Sequence, residues 1–287
     1  MRLYDGASIS QLPWPQTPDG EYARRLLTPL MQEGVPPFIA NLQTKLLALH
    51  LDDLVLPVTV NDGEYQNAYP CSPFTHYALA AWDEARRLKP WVLRPALGAL
   101  IAPVAALLRA GQINKAVHVG NWLLSTNLYP SLSASQLQAI TRLSEQFPKH
   151  ALILRSLNDH LHGESLAALK ALGYRLIPSR QVWLHDVCHW DAFPTRARWQ
   201  LRRDLRLVEQ TGYEIVPHEA LTPADIPRLR ELYRLLYLDK YSHFNPDFTE
   251  RFFELALQTD SFYLVGLRKA GRIDGVLGYF WRSGVMT

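Results

Sequence analysis

Short apolar runs alternate with helical stripes through the middle of the chain. Residues 115–124 and 151–158 are apolar runs of strand length. Between them, Ser133 and Gln136 have the spacing of a capping box, in which the serine oxygen accepts a backbone N–H and the glutamine reaches back. The apolar residues that follow recur on one helical face: Leu137, Ile140, Leu143. The pattern therefore predicts a strand, a capped helix and a second strand.

A shorter helical stripe and an extended run complete this unit. The stripe comprises Leu166, Leu169 and Leu172, and Gly173 stands where a helix commonly ends in the left-handed conformation. Residues 174–186 predict a further strand. Strands and helices thus alternate over residues 113–186, and this order predicts an α/β unit.

The first third of the chain is less regular. It predicts a helix around residues 37–50, then a strand at 51–62 that ends in an Asn-Asp-Gly turn. A helix is predicted at 75–88, and the segment 96–109, rich in alanine and leucine, predicts another. We expect the helix at 96–109 to be mostly buried, because its residues are almost all apolar.

A second unit begins near Pro194. Its predicted elements are a helix at 196–212, a strand at 213–219, a helix opened by Thr222-Pro223, a helix from Asn245-Pro246 and a hairpin at 261–281. The hairpin turns at Ala270-Gly271, where glycine tolerates the positive φ that a tight turn requires. The two units are related in plan rather than in sequence, and both belong to the α/β class.

Composition narrows the class of protein. The chain has 287 residues, which is enough for roughly two domains, and 48% hydrophobic with 20% charged residues is typical of a soluble globular protein. The net charge of +3 does not by itself imply nucleic acid. The most apolar stretch, between Pro90 and Ala110, contains two arginines and lacks the roughly twenty clean apolar residues of a membrane span. We therefore predict a cytoplasmic protein with neither a membrane nor DNA as a partner.

Three stretches carry a resemblance to a known family. They are RRDLRLVEQTGYEI, YLDKYSHFNPDFTERFFELAL and SFYLVGLRKAGRIDGVLGYF, all in the last ninety residues. Their order resembles the GNAT acyltransferase superfamily, and the whole chain resembles its tandem forms, including the Fem-type aminoacyltransferases. The resemblance implies a GNAT-like domain at 1–190 and a partial one at 191–287, because residue 287 falls just before the expected cofactor loop of the second domain. The chain is thus expected to be a truncated form of a longer protein.

The resemblance also implies where an acyl-CoA donor would bind. GNAT proteins hold a pyrophosphate on backbone N–H groups at a helix N-terminus, where unsatisfied donors favour anions. In the first unit this place is the loop 125–136, with Ser125, Thr126, Asn127 and Ser133 as the candidates. The loop lacks the usual G-x-G glycines, so an ordinary capped loop is the alternative interpretation. Acyl-CoA is expected as a cosubstrate and not as a tightly bound cofactor.

The first unit matches the family in some positions and departs from it in one. Asn158 matches an asparagine after the fifth strand, and residues 172–174 match the Leu-Gly-Phe ending of the next helix. Leu169, however, occupies the position of the general-acid tyrosine. The proton donor to the leaving thiolate would be missing, and the first domain is therefore expected to be degenerate.

The acceptor site is assigned to the second unit, where the resemblance places an acceptor pocket at a helix junction. The catalytic candidates are His243 and Tyr241, and His243 could accept a proton from an attacking amine. The substrate-binding candidates are Tyr237, Lys240, Asn245 and Asn158. A purely structural role for these aromatic residues is an equal alternative.

Other clusters have simpler interpretations. NDHLH (158–162) and HDVCH (185–189) lack the spacing of a metal site, and Cys71 near His76 shows no nucleophile-base pairing, so structural roles are preferred. The arginines of 196–206 could contact tRNA phosphate, although a solvated face is favoured. The sequence therefore predicts an N-acyltransferase that moves an acyl group from acyl-CoA to a small amine. The alternatives are a Fem-type aminoacyl-tRNA-dependent ligase and a non-catalytic GNAT-like binding module.

Overall fold

The computed structural model covers residues 1–287, and it describes all side chains except those of residues 190–192. Its first sheet has five strands in the order β1-β2-β3-β4-β5. These strands are β1 Arg2–Tyr4, β2 Lys45–Leu51, β3 Leu54–Asn61, β4 Ala116–Val119 and β5 Ala151–Leu154. Neighbours are antiparallel from β1 to β4, whereas β5 pairs parallel to β4. The change of direction requires a crossover connection between β4 and β5.

Helices surround this sheet. They are α1 Pro18–Glu33, α2 Ala80–Arg87, α3 Arg94–Ala110, α4 Ala134–Thr141, α5 Leu143–Gln146 and α6 Asp159–Ala171. The crossover from β4 to β5 consists of α4 and α5. The predicted capping box is confirmed at its start, because the Ser133 hydroxyl accepts the Gln136 N–H at 3.2 Å and the Gln136 side chain accepts the Ser133 N–H at 2.9 Å.

The last third of the chain forms a second, antiparallel sheet of three strands in the order β6-β7-β8. The strands of this sheet are β6 Glu214–Val216, β7 Tyr263–Lys269 and β8 Arg272–Tyr279, and its helices are α7 Thr195–Thr211, α8 Ile226–Tyr233 and α9 Glu250–Thr259. Two short strands, β9 Trp281–Arg282 and β10 Val285–Met286, follow and pair with each other. A π-helical turn, Arg234–Tyr241, extends α8. The predicted hairpin is confirmed, with positive φ at Ala270 and Gly271.

Both sheets begin with the same plan. In the first sheet a strand, an intervening helix and a hairpin form the antiparallel order β1-β2-β3, with α1 between β1 and β2. In the second sheet the order β6-β7-β8 arises in the same way, with α8 and α9 between β6 and β7. The chain is therefore a mixed α/β protein in which one supersecondary plan occurs twice. The two occurrences are at residues 2–61 and 214–279, so the expectation that the unit 113–186 shares its plan with the second unit is wrong: β4 and β5 are parallel, whereas β6, β7 and β8 are antiparallel.

A single hydrophobic core joins the two sheets. It contains Tyr4 and Leu26 from the first part of the chain and Phe252 and Phe280 from the last part. A second core lies between the first sheet and α4, α5 and α6, with Leu137, Ile140 and Leu143 fully buried in it.

Four other expectations from the sequence differ from the structure, and two of them concern strands. The helix expected around 37–50 is wrong, because residues 45–51 form β2. β1 and β3 pair with β2 along its two edges, and the two hydrophobic cores cover its two faces, so the run is apolar on both sides and carries no helical or strand period. The strand expected at 174–186 is wrong, because residues 174–186 form neither a helix nor a strand.

The other two differences concern helices. The helix expected from Asn245-Pro246 begins only at Glu250, because Asn245 instead donates its side-chain N–H to the Tyr237 carbonyl at 2.7 Å.

The helix at 96–109 forms as α3, but the expectation that it is mostly buried is wrong. Only Gly98 is buried along α3. The segment Trp91–Ala110 is long and apolar enough to cross a membrane by length and composition alone, and 6% of it is buried.

Candidate functional site

The end of β4 is shaped by a glycine that no other residue could replace without strain. Gly120 has φ +69°, and a Cβ atom at this position would lie 2.2 Å from Cε1 of Tyr129. The Tyr129 ring lies there because its hydroxyl donates a hydrogen bond to the Val119 carbonyl at 2.7 Å. The chain therefore turns sharply out of β4 and runs back over the end of the strand.

The loop between β4 and α4 is held by buried amide side chains. The Asn121 amide donates to the Thr59 hydroxyl and to the Pro70 carbonyl, both at 2.9 Å. The Asn127 backbone N–H donates to the Ser156 hydroxyl at 3.0 Å, and this bond links the loop to the segment after β5. The loop is thus a fixed wall and not a loose connection.

A cleft of about 1200 Å³ opens beside this wall. It is bounded by β5, which forms the edge of its sheet, by α6, by the extended run 174–182 and by the C-terminal end of α3. Its charged side chains are five cations and one carboxylate: Lys115, Lys149, Arg155, Arg175, Arg180 and Asp159. The excess of positive charge makes the cleft suited to an anionic ligand.

Two arginines from different segments of the chain meet at one wall of the cleft. Arg155, directly after β5, donates to the Pro70 carbonyl at 2.9 Å and to the Asn121 side-chain oxygen at 3.1 Å. Desolvation lowers the pKa of Arg155, but an arginine remains charged at neutral pH. Arg180, from the extended run, donates to the Ser125 carbonyl and to the Thr126 hydroxyl, the second bond at 2.6 Å. Both guanidinium groups therefore lie against the loop that follows β4.

The titratable side chains on this side of the cleft are held neutral. Desolvation, with the charges of Arg155 and Arg180, lowers the pKa of His76 to about 4, and its Nε2 lies 2.9 Å from the Ser179 hydroxyl. Desolvation raises the pKa of Tyr69, whose ring centre is 6.0 Å from that of His76. Desolvation and the Arg155 charge also lower the pKa of His118 on β4 to about 3. At neutral pH the cleft therefore holds fixed cations beside uncharged histidines and tyrosines.

The donor-binding residues expected from the sequence fall into two groups. Ser125 and Thr126 line the cleft, where they accept hydrogen bonds from Arg180. Asn127 is buried, and its side-chain oxygen accepts a hydrogen bond from the backbone N–H of Trp122 at 3.1 Å. Ser133 is the N-cap of α4 and is not among the lining residues. The structure thus places two of the four candidates at the cleft and the other two in the framework of the loop.

Asn158 also lies at the cleft, where its side chain is the N-cap of α6 and accepts the Leu161 N–H at 2.9 Å. Leu169, at the position where the resemblance implies a general-acid tyrosine, is buried in the second core and borders the cleft. Tyr174 lines the cleft as well, with its hydroxyl 3.3 Å from that of Thr141. The cleft therefore has tyrosines at positions 69, 77 and 174, and a leucine at position 169.

The expected acceptor residues lie together elsewhere. Tyr237, Lys240, Tyr241, His243 and Asn245 occupy the end of the π-helical turn and the loop after it, and none of them lines the cleft. Tyr241 and His243 are exposed. The Asn41 side chain binds this loop from the first part of the chain, donating to the carbonyls of His243 at 3.0 Å and Asn245 at 2.8 Å.

This loop nevertheless borders the cleft at one point. The backbone N–H of Tyr69 donates to the Phe244 carbonyl at 3.1 Å, while the side chain of Tyr69 lines the cleft. The Ser242 hydroxyl donates to Asp83 on α2 at 2.6 Å. The expected acceptor residues and the cleft are therefore neighbours across Tyr69.

Four residues that line the cleft were not predicted from the sequence: Arg155, Arg180, Tyr69 and His118. Arg155 offered one signal, because a charged residue directly after a predicted buried strand often lies at the strand end that carries function. Arg180 and Tyr69 offered none, since the cleft joins residues more than a hundred positions apart.

The remaining clusters have local roles. Burial raises the pKa of the Cys71 thiol to about 11, and its sulfur lies 3.4 Å from the Asn121 amide nitrogen and is not paired with His76. Asp186 and His189 pair with each other at 2.7 Å on the surface. Among the described residues, no three potential ligands converge as a metal site would require. On α7, Arg203 pairs with Asp204 at 2.8 Å.

No protein-family model, no curated protein and no solved structure matches this chain. The resemblance to the GNAT superfamily therefore stays a prediction that depends on the three stretches in the last ninety residues.

Proposed function

We propose that the chain is an N-acyltransferase of the GNAT type that binds acyl-CoA in the cleft and transfers its acyl group to a small amine. The observation that carries this proposal is the charge of the cleft, with five cations against one carboxylate beside the loop that follows β4. Coenzyme A carries a pyrophosphate and a 3′-phosphate, and guanidinium groups suit phosphate oxygens because they offer paired donors. The contacts of Arg180 with residues 125 and 126 put one such group at the expected donor loop.

The strand order supports the same proposal. The resemblance implies a sheet in which a hairpin is followed by a fourth strand, and the fourth strand leads through a loop into a helix and then into a fifth strand. The first sheet has this order, with α4 and its capping box after the loop. The capping box occupies donors at the start of α4, so we assign most of the phosphate binding to arginine side chains and not to the helix N-terminus.

The chemistry requires two proton transfers. The amine nitrogen attacks the thioester carbonyl carbon, the carbon–sulfur bond breaks, the amine loses a proton and the departing thiolate gains one. His76 is neutral and can accept a proton, and Tyr69 is protonated and can donate one. The charges of Arg155 and Arg180 contribute to the low pKa of His76, so phosphate binding would raise that pKa towards neutrality. The pair His76–Tyr69 thereby compensates for the leucine at position 169.

The acceptor amine is assigned to the side of the cleft that faces the loop 241–245. This loop meets the cleft at Tyr69, and the candidates Tyr241 and His243 are exposed beside it. In this proposal Tyr237, Lys240 and Asn245 shape the approach of the amine, and no residue of the group contacts the phosphates.

The proposal is tested by titrating the chain with acetyl-CoA in a calorimeter and by following thiol release with a panel of primary amines. Wild-type protein is expected to bind acetyl-CoA and to release thiol with at least one amine. Arg180→Gln should weaken binding about tenfold or more, because it removes a charge-assisted contact of about 1.5–3 kcal/mol. Arg272→Gln, on the exposed β7–β8 turn, is the matched control and should bind as wild type. Failure of the wild type to bind acetyl-CoA would contradict the proposal.

A non-catalytic anion-binding module is the second candidate, and Leu169 with the glycine-free loop favours it. It predicts acetyl-CoA binding without thiol release for every amine tested. The Fem-type alternative differs only in its donor, and it predicts transfer from an aminoacyl-tRNA in place of acetyl-CoA.

A further inference from the structure

Helices α2 and α3 form a hairpin whose apolar surface is uncovered. Gly98 packs α3 against α2, because a Cβ atom there would lie 3.2 Å from Cζ3 of Trp82. The opposite face of α3 carries Leu100, Val104 and Leu107 at helical spacing, and they are 68%, 51% and 73% exposed. No polar side chain lies between Arg94 and Arg109. A helix that is apolar on all sides is normally buried in a protein core or in lipid.

The tip of the hairpin is apolar as well. Trp91, Val92 and Leu93 are 71%, 61% and 50% exposed. The turn is held closed by the Arg94 guanidinium, which donates to the Leu88 carbonyl at 3.0 and 3.2 Å. The tryptophan is therefore presented by an ordered turn. Tryptophan is the residue most typical of the boundary between lipid and water.

The charge of the hairpin distinguishes between two partners that could cover its apolar surface, a second copy of the chain and a lipid surface. The hairpin, residues 80–110, contains five cations and two carboxylates: Arg86, Arg87, Lys89, Arg94, Arg109, Asp83 and Glu84. Both carboxylates lie on α2 before the tip, so the tip and α3 carry only cations. A two-fold interface between copies of this chain along α3 would bring two such sets together, and like charges oppose it. A surface of anionic lipid instead attracts basic residues, by about 1 kcal/mol for each lysine or arginine close to it.

The length of the apolar part of α3 indicates whether the helix would span a bilayer or lie in its interface. The apolar stretch between Arg94 and Arg109 has fourteen residues, which is about 21 Å of helix at 1.5 Å per residue. The hydrocarbon core of a bilayer is about 30 Å thick. The stretch also contains Pro103, which interrupts the helical hydrogen bonding. Although Trp91–Ala110 as a whole is long enough to cross a membrane, its uncharged part is shorter than the hydrocarbon core, so we assign the helix to the interface.

We propose that the α2–α3 hairpin docks on an anionic lipid bilayer, with Trp91 and the outer face of α3 inserted at the boundary of headgroups and acyl chains. The prediction from sequence that no membrane is a partner depended on the absence of a spanning segment, and an interfacial helix needs none. Leu107 also lines the cleft, so docking would place the cleft opening beside the bilayer. This proposal is independent of the acyl-CoA proposal.

Flotation of the full chain with vesicles tests it. We expect binding to vesicles of equal parts phosphatidylcholine and phosphatidylglycerol, with weaker binding to phosphatidylcholine alone and a decrease as salt rises. The double variant Leu100→Glu, Val104→Glu should reduce binding at least about tenfold, because it places two charges on the inserted face. Leu277→Glu, at a leucine of β8 that is 63% exposed, is the matched control and should bind as wild type.

Replacement of the tip cations Arg86, Arg87 and Lys89 by glutamine should abolish the preference for phosphatidylglycerol while leaving the fold unchanged, as circular dichroism would show. Three results would overturn the proposal: no binding of wild type to either vesicle, equal binding by wild type and the double variant, or a dimer in light scattering that the double variant alone dissolves. Resistance of the bound protein to alkaline carbonate extraction would overturn the interfacial placement in favour of a spanning helix.

Discussion

The side chains of the cleft show how individual residues acquire their chemistry from their surroundings. Arg155 and Arg180 come from different segments, and each is held by oxygen atoms of the loop after β4, with Arg155 bound to the Pro70 carbonyl as well. Their charges act on His76 in addition to its desolvation, so its neutral form is favoured for two separate reasons. The cations and the neutral histidine are therefore one electrostatic unit.

His76 should make the stability of the protein depend on pH. Its pKa in the folded protein is about 4, whereas an unfolded histidine has a pKa of about 6.5. Between these values the unfolded chain binds more protons, so the free energy of unfolding decreases as pH falls from about 6.5 to about 4. In His76→Gln this decrease should become shallower, as urea unfolding at pH 7.5 and pH 5 would measure.

Some pH dependence should persist in that variant, because desolvation lowers the pKa of His118 and of His162 as well. His160→Gln is the control, since this histidine is exposed on α6. Equal pH dependence in wild type and His76→Gln would show that His76 is not held neutral by its surroundings.

At the scale of elements, the end of β4 controls the wall of the cleft. Gly120 permits a turn that brings Tyr129 over the strand end, and Asn121 then ties the loop to β3 and to Pro70. The extended run 174–186 completes the opposite wall without joining the sheet, so β5 keeps a free edge. The cleft exists because one segment leaves the sheet sharply and another runs beside it unpaired.

Gly120→Ala should destabilise the protein by about 2–4 kcal/mol. The new methyl group would meet the Tyr129 ring, and an alanine at positive φ is strained in addition. Gly163→Ala is the matched control, because nothing lies within 4 Å of its Cβ position and it is within α6. That change should be neutral or stabilising by up to about 1 kcal/mol. Denaturant unfolding measures both, and equal stability of the two variants would refute this account of the turn.

At the scale of the whole molecule, the two sheets are parts of one folded body. Backbone hydrogen bonds join Ala40 to Asp247 at 2.9 Å and Thr249 to Phe38 at 3.0 Å. Arg282 on β9 binds Asp19 of α1 at 2.7 Å, and its guanidinium lies 4.0 Å from the centre of the Trp122 ring. The last strands are thereby linked to the loop that forms the wall of the cleft.

Because the core is shared, unfolding should be one cooperative transition. Circular dichroism and tryptophan fluorescence should report the same urea midpoint. Arg282→Met should lower the free energy of unfolding by about 3 kcal/mol, since it leaves the Asp19 carboxylate without its partner, and adding Asp19→Asn should restore part of the loss. The exposed Arg272→Met is the control and should have almost no effect. Two separate transitions would contradict a shared core.

Features that depend on residues close together in the chain could be predicted from the amino-acid sequence. The capping box at Ser133, the end of α7 at Gly212 and the turn at Ala270-Gly271 are as predicted. Each is decided by hydrogen bonds or φ values within a few residues, and these are encoded locally. The order β4, α4, β5 and α6 was predicted for the same reason, since each of these elements has its own local apolar pattern.

Only the tertiary structure decided which apolar segments are covered and which residues meet. Residues 45–51 became a strand because β1 and β3 pair with it, and α3 stayed exposed because α2 and the Thr75–Leu79 turn pack on one side of it while Leu100, Val104 and Leu107 on the other side are uncovered. Arg155, Arg180 and His76 form one site although up to 104 positions separate them. Pairing, burial and charge coupling of this kind act through space, so no local pattern of residues specifies them.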